Sequence, residues 1–171
     1  RPCDVLAVEA VAGTDPGDAH AWLAAWTTWL AQPHRVDWAR AIAGINRIRY
    51  RDAVMTAALA GDLDPVAAYD TAPDLTDHVL SRRPDIEHTA ANLALLTALA
   101  ARAPAGWRAQ PLAAAAFLAW QSGRGVKARL LAQAATADEP TCSLARLVTR
   151  LIQAAVPPRW TTYPGTGTGP H

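Results

Sequence analysis

The segment from Pro111 to Trp160 decides the fold, and it opens with Pro111-Leu-Ala-Ala-Ala-Ala-Phe-Leu-Ala-Trp-Gln-Ser-Gly123. Three helices are predicted in it, over residues 111–122, 124–137 and 141–155. Gly123 lies between the first two, where glycine lets the chain turn. Pro140 comes just before the third, because proline is accepted at the first position of a helix but not inside one. The segment therefore predicts a helical hairpin followed by one more helix.

Four residues of this segment follow the spacing of a known helical hairpin. Gly123, Ala128, Ala135 and Pro140 follow one another at offsets of 5, 7 and 5 residues. The spacing resembles the turn glycine, packing alanines and closing proline of a tetratricopeptide-like helical hairpin. We expect Ala128 and Ala135 to lie where two helices approach closely. The resemblance implies a stacking scaffold that binds partners.

The composition favours an all-α fold. Of the 171 residues, 51% are hydrophobic, and most of these are alanine, the best helix former. We predict a helical array of about seven to eight helices that ends in the tetratricopeptide-like hairpin and a capping helix. We expect an N-terminal helical region over residues 1–104, the tetratricopeptide-like region over 105–160 and a disordered tail over 161–171.

Upstream of the hairpin, aspartates mark predicted helix starts, because their side chains cap free backbone N–H groups. Helices are predicted from Asp15-Pro16 to Gln32, over 37–44 and 47–60, from Asp64-Pro65 to about residue 72, and over 85–103. The last of these carries a predicted apolar stripe of Ile86, Ala90, Leu93, Leu96 and Ala100. The segment before Gly13 fits a strand remnant or a helix, and we favour a helix. Residues 73–84 are predicted to be irregular, with a turn of helix over 75–80.

Charge, cysteines and hydropathy exclude several classes of protein. The net charge is +1, which gives no global attraction to nucleic acid or to a membrane. No apolar run approaches the length of a membrane span, and we expect a cytoplasmic protein. Cys3 and Cys142 lack metal-binding spacing, and we expect both to be free thiols. The chain starts at Arg1 without a methionine, so we expect a fragment or a processed chain.

Three tryptophans on one predicted helix form the clearest candidate surface. Trp22, Trp26 and Trp29 recur at i, i+4 and i+7, which places three indoles on one stripe. Three alternatives stay open: a core stripe covered by the following helices, a self-association surface, and an exposed groove for a peptide or apolar ligand. We favour the core.

Basic side chains form the second candidate surface. The last two predicted helices carry Arg124, Lys127, Arg146 and Arg150. Of these, Arg146 and Arg150 share a helix face at i, i+4. A concave basic face would bind an acidic peptide or a phosphate backbone, whereas a solvated helix face is the plainer interpretation. Arg47, Arg49 and Arg51 surround Tyr50, and Arg51-Asp52 is predicted to be a structural pair.

The sequence predicts no cofactor, metal site or catalytic site. Its acidic clusters lack the spacing of known metal sites and are explained by loops and helix caps. Cys142 and the serines lack a partner motif for nucleophilic catalysis. Gly123-Arg124-Gly125 joins two helices and lacks the ending of a phosphate-binding loop.

The C-terminal third also resembles a large actinobacterial family known as a domain of unknown function. The resemblance is carried by the run from Pro111 to Gly123, by Ser143-Leu-Ala-Arg-Leu147 and by the closing Pro157-Pro158. It covers about 50 residues and is thin upstream, where only Arg51-Asp52 matches. It implies a helical C-terminal half, a bacterial cytoplasmic location and a longer N-terminal portion than this chain has.

These observations predict a non-catalytic helical module that binds another protein or a copy of itself. The alternatives are a helical protein that binds nucleic acid through its arginines, which the near-neutral charge disfavours, and an enzyme of a type without a recognised motif.

Overall fold

Helices form all the regular secondary structure of residues 5–13, 18–71 and 74–162, the part of the chain that the computed structural model describes. The all-α prediction is thereby confirmed for this part. Its ten α-helices exceed the seven to eight predicted. One of them, α6, lies in the segment expected to be irregular, where only a turn of helix over 75–80 is predicted. The helices are α1 (Val5–Gly13), α2 (Ala19–Ala31), α3 (Trp38–Ile45), α4 (Ile48–Ala60), α5 (Pro65–Asp70), α6 (Asp74–Leu80), α7 (Ile86–Arg102), α8 (Ala109–Gln121), α9 (Gly125–Asp138) and α10 (Ser143–Gln153).

Aspartate caps begin most of the helices of the N-terminal half. Asp37, Asp64 and Asp85 each accept a hydrogen bond from the backbone N–H three residues ahead, at 3.1, 2.8 and 2.8 Å. These starts agree with the sequence prediction, because a cap depends only on neighbouring residues. The prediction for α2 differs: its cap is Asp18, which accepts from the N–H of His20 at 3.1 Å. Asp15 lies outside the described residues.

The helix α8 lies at the centre of the C-terminal half. Residues 113–116 are four consecutive alanines, and all four are fully buried. A helix that is apolar on every side is expected to have neighbours on every side. Indeed α8 packs against α4 and α7 as well as against α9 and α10. The small alanine side chains allow these close approaches.

The turn between α8 and α9 forms as the sequence predicts. Gly123 has a φ of +73°, and its N–H donates to the carbonyl of Trp120 at 2.9 Å. The next N–H, of Arg124, donates to the carbonyl of Ala119 at 2.8 Å. This pair of bonds is a Schellman motif, in which a left-handed residue satisfies the last carbonyls of a helix.

The spacing alanines and the proline have different outcomes. Ala128 and Ala135 are fully buried on α9, as expected for residues at a close helix contact. Pro140 does not open the next helix. It lies in the turn closed by the N–H of Cys142 on the carbonyl of Glu139, and α10 begins at Ser143. The likeness to a tetratricopeptide hairpin stays a prediction.

The contact between α4 and α7 shows why the predicted stripe on α7 is partly wrong. The Thr89 hydroxyl donates to the carbonyl of Ala58 at 3.0 Å, and the Asp85 N–H donates to that of Leu59 at 3.1 Å. The first turn of α7 therefore faces the end of α4 through Thr89. Ile86 and Ala90 point to solvent instead, and Ile86 is 63% exposed. Leu93, Leu96 and Ala100 are buried as predicted.

The early segment is the helix α1, as favoured from the sequence. The division into regions 1–104 and 105–160 stays a prediction. Residues 163–171, which make up most of the predicted disordered tail, lie outside the described residues.

Candidate functional site

The three tryptophans of α2 belong to the core. Trp22 and Trp26 are fully buried and Trp29 is 4% exposed. Their rings contact one another, with centroids 5.4 Å apart for Trp22 and Trp26 and 6.3 Å for Trp26 and Trp29. Burial inside the chain is the alternative that the sequence favours. An exposed aromatic groove does not fit these side chains.

The indole N–H groups of the two most deeply buried tryptophans each donate a hydrogen bond within the chain. Trp22 donates to the carbonyl of Arg40 at 2.9 Å, and Trp26 donates to the side-chain oxygen of Asn92 at 2.8 Å. A Cβ at Gly44 of α3 would lie 2.0 Å from the indole nitrogen of Trp22. Glycine at this position is what lets α3 pack directly on the ring. The stripe thus joins α2 to α3 and α7.

The arginines near Tyr50 are engaged within the chain. Arg51 is only 5% exposed, and it donates to Asp52 at 2.7 Å and to the side chain of Gln110 on α8 at 2.5 Å. The predicted structural pair is confirmed and extends to a second helix. Arg49 stacks over the ring of Tyr69, with its guanidinium carbon 4.3 Å from the centroid.

The four candidate cations of the C-terminal half are all exposed, but they do not converge on one groove. Arg124 lines a cavity of about 140 Å³ with Arg83 and Trp160. Arg150 lines a separate apolar groove of about 520 Å³ between α4, α6, α8 and α10. Lys127 lies on α9 and Arg146 on α10. The structure therefore leaves these residues on the outer surface of the last two helices.

An apolar surface on α9 was missed by the sequence reasoning. Val126 is 70% exposed and Leu130 is 58% exposed, and Ala134 and Ala137 are exposed as well. Their spacing of i, i+4, i+8 and i+11 places them on one face of the helix. The sequence does carry this signal, in two large apolar residues next to Lys127 and Arg129. We call these four apolar residues and two cations the α9 face.

A second surface missed from the sequence is a groove of about 600 Å³ where α2, the end of α4, the start of α5 and the start of α7 meet. Its apolar lining includes Leu30, Ala57, Pro65 and Ala91. Half of its polar lining is acidic, and the polar residues are Asp62, Asp64, Glu87, His88, Asn92 and Thr27. We call it the acidic groove. Residues so far apart in the chain leave no local signal of it.

Several aspartates of the acidic clusters have structural roles. Asp64 and Asp85 cap helices, and Asp70 accepts from the Nε2 of His20 at 2.8 Å. Asp77 accepts from Arg159 at 2.8 Å. The carboxyl of Asp85 has a lowered pKa, chiefly because the N–H of His88 donates to it. Within the described ranges, no three His, Cys, Asp or Glu side chains are grouped so that they could hold a metal ion.

The fold and these surfaces define an all-α domain whose exposed features include an acidic-rimmed apolar groove and a basic-apolar helix face. Across residues 5–13, 18–71 and 74–162, no helix has the length and apolar character needed to cross a membrane.

The chain belongs to the family described as Domain of unknown function (DUF4192), whose model matches residues 5–159. The match covers nearly the whole chain, so the resemblance extends far upstream of the 50 residues that suggested a family of this kind. No curated protein and no solved structure matches the chain.

Proposed function

We propose that this protein is a helical protein-interaction module and that the α9 face is its principal binding surface. The observation that carries the proposal is the exposure of Val126 and Leu130, 70% and 58%, on the first two turns of α9. Two large apolar side chains at i and i+4 on a helix leave apolar area in water, and a partner that covers them would gain the free energy of burying it. Of the candidate cations, Lys127 flanks this row on α9 and Arg124 immediately precedes the helix. Arg146 and Arg150 lie on α10 and add positive charge to the same part of the chain.

The chemistry of the partner follows from the flanking charges. Lys127 and Arg129 lie on either side of the apolar row, and α9 has no acidic residue before Asp138. Asp138 is itself occupied, because its carboxylate accepts hydrogen bonds from three backbone N–H groups at the start of α8. The partner is therefore an apolar surface edged with carboxylates, as in the pairing of an amphipathic helix with a groove. The cytoplasmic location expected from the sequence is part of this proposal.

A labelled synthetic peptide tests the proposal. The probe is an amphipathic helix of about 20 residues, with leucines on one face and glutamates beside them, and fluorescence anisotropy reports its binding. We expect binding that weakens as salt is raised. Leu130→Glu should weaken it by about tenfold or more, because it buries a charge against the leucines.

The controls separate this proposal from its alternatives. Ala101→Glu adds the same charge at an exposed position of α7 outside the α9 face, and it should bind the peptide like the wild type. A single-stranded oligonucleotide of equal charge should not compete. Peptide binding that Leu130→Glu leaves unchanged would contradict the proposal, and competition by the oligonucleotide would favour the nucleic-acid alternative.

A further inference from the structure

The charges of this chain are divided between its two halves. Residues 1–104 contain thirteen acidic and nine basic residues, whereas residues 105–160 contain two acidic and seven basic residues. The near-neutral total thus conceals a net charge of −4 in the first part and +5 in the second. Such an asymmetry gives the two halves opposite electrostatic fields.

The negative half presents the acidic groove. Its carboxylates are those of Asp62, Asp64 and Glu87, all on exposed residues, and its other titratable group is His88. Asp62 lies 4.0 Å from Arg82, at the outer limit of an ion pair, and Asp64 caps α5. Between these groups the surface is apolar. The groove therefore offers an apolar floor inside a negative rim.

The positive half presents the complement of this groove. The α9 face has an apolar row, from Val126 and Leu130 to the smaller Ala134 and Ala137, with a cation on each side. A volume of about 600 Å³ is large enough to receive the side chains of Val126 and Leu130. Lys127 and Arg129 would then meet the carboxylates of the rim.

The two surfaces cannot meet within one chain. The helix α9 packs against α8 and α10, while the acidic groove is built on α2, α4, α5 and α7. The central helix α8 stands between them, because it contacts α4 and α7 as well as α9 and α10. A second copy of the chain can supply the matching surface.

We propose that this protein self-associates head to tail, with the α9 face of one copy seated in the acidic groove of the next. The proposal rests on the proposed function and names its partner as a second copy of this chain. The apolar row supplies affinity, and the charge pairs set register and speed of association. Because the contacting surfaces differ, every added copy leaves one groove and one face open. The product is an open filament or a closed ring.

Two blocking variants test this arrangement, with molar mass measured by sedimentation equilibrium. Leu130→Glu disables the α9 face and keeps the groove. Ala91→Glu places a carboxylate in the groove and keeps the face. Both positions are exposed, and circular dichroism checks that each variant is folded. We expect the wild type to gain mass with concentration, and each variant alone to stay monomeric.

The mixture of the two variants is the decisive sample. The intact groove of Leu130→Glu can accept the intact face of Ala91→Glu, after which no usable surface is left. We expect a 1:1 dimer that grows no further. The double variant Leu130→Glu/Ala91→Glu has neither surface intact, so it should stay monomeric even when it is mixed with the wild type. The matched control Ala101→Glu should associate like the wild type.

Three results would overturn the proposal: a wild type that stays monomeric up to its solubility limit, single variants that associate like the wild type, or a mixture that stays monomeric. The proposed function is tested independently of the self-association. If the acidic peptide binds wild type in a Leu130-dependent way while the wild type stays monomeric, the binding surface stands and the self-association is wrong. Lys127→Ala gives a second measurement, because it should lower the salt dependence of association while leaving the fold unchanged.

Discussion

At the scale of single residues, two helices end in the same backbone turn with different residues at the left-handed position. Gly123 closes α8 with a φ of +73°, and Ala155 closes α10 with a φ of +51°. In both turns the following N–H donates back five residues, from Arg124 to Ala119 and from Val156 to Leu151. Of these two residues only Ala155 has a Cβ, so only Ala155 carries the steric cost of the left-handed conformation.

A reciprocal pair of substitutions follows from this comparison. Ala155→Gly should stabilise the fold by about 0.5–1 kcal/mol, because the strain it removes exceeds the added freedom of the unfolded chain. Gly123→Ala should destabilise it by about 1 kcal/mol. A Cβ at Gly123 meets no atom within 4 Å, so the cost is conformational and not steric. Urea denaturation followed by circular dichroism measures both, and shifts in the same direction would contradict this account.

At the scale of elements, the start of α8 is capped from the far end of the hairpin. Asp138, the last residue of α9, accepts from the N–H groups of Gly106, Arg108 and Ala109 at 2.9, 2.9 and 3.0 Å. One carboxylate thus satisfies the free donors at a helix N-terminus, where negative charge is favoured. The bond also fixes the loop before α8 to the end of α9.

Removing this cap should destabilise the hairpin. Asp138→Ala leaves three N–H groups without their acceptor and should cost about 1–2 kcal/mol in the free energy of unfolding. Asp138→Asn keeps one acceptor oxygen and should lose less. Denaturant midpoints rank the three proteins, and an alanine variant with the midpoint of the wild type would show that water replaces the carboxylate without loss.

The caps also show which elements a sequence reveals. Asp37, Asp64 and Asp85 were predicted because each bonds an N–H only three residues away. The Asp138 cap joins residues about 30 apart in the chain, so no local pattern announces it. The prediction that Ile86 belongs to the buried stripe is wrong for the same reason, because the end of α4 determines which side of α7 is covered.

At the scale of the whole molecule, the candidate surfaces were predicted only where they depend on one helix. The exposure of Lys127 and Arg150 follows from the charge of each side chain. The acidic groove brings Thr27 of α2 together with Asn92 of α7, and this meeting depends on how the helices pack. The separation of Arg124 from Arg150 into different grooves has the same origin. No local sequence pattern identifies which helices pack against one another.

The pH dependence of stability reports one such long-range contact, between α2 and α5. His20 and Asp70 meet with Nε2 and Oδ1 2.8 Å apart. The pKa of His20 is raised above 6.5, first because Asp70 accepts its hydrogen bond and then because of the negative charges of Asp70 and Asp18. The protonated form is therefore favoured in the folded state.

This raised pKa fixes the sign of the effect. The stabilisation by His20 is fully present below the unfolded pKa of 6.5 and is lost as the pH rises through the higher folded value. Denaturant midpoints measured from about pH 5.5 to 8.5 should fall more steeply for the wild type than for His20→Gln, which cannot be protonated. Asp70→Asn should flatten the profile in the same way, because it removes the charge that His20 faces. If either variant kept the slope of the wild type, another titrating group would have to be responsible, and the contact between α2 and α5 would contribute nothing to the pH response.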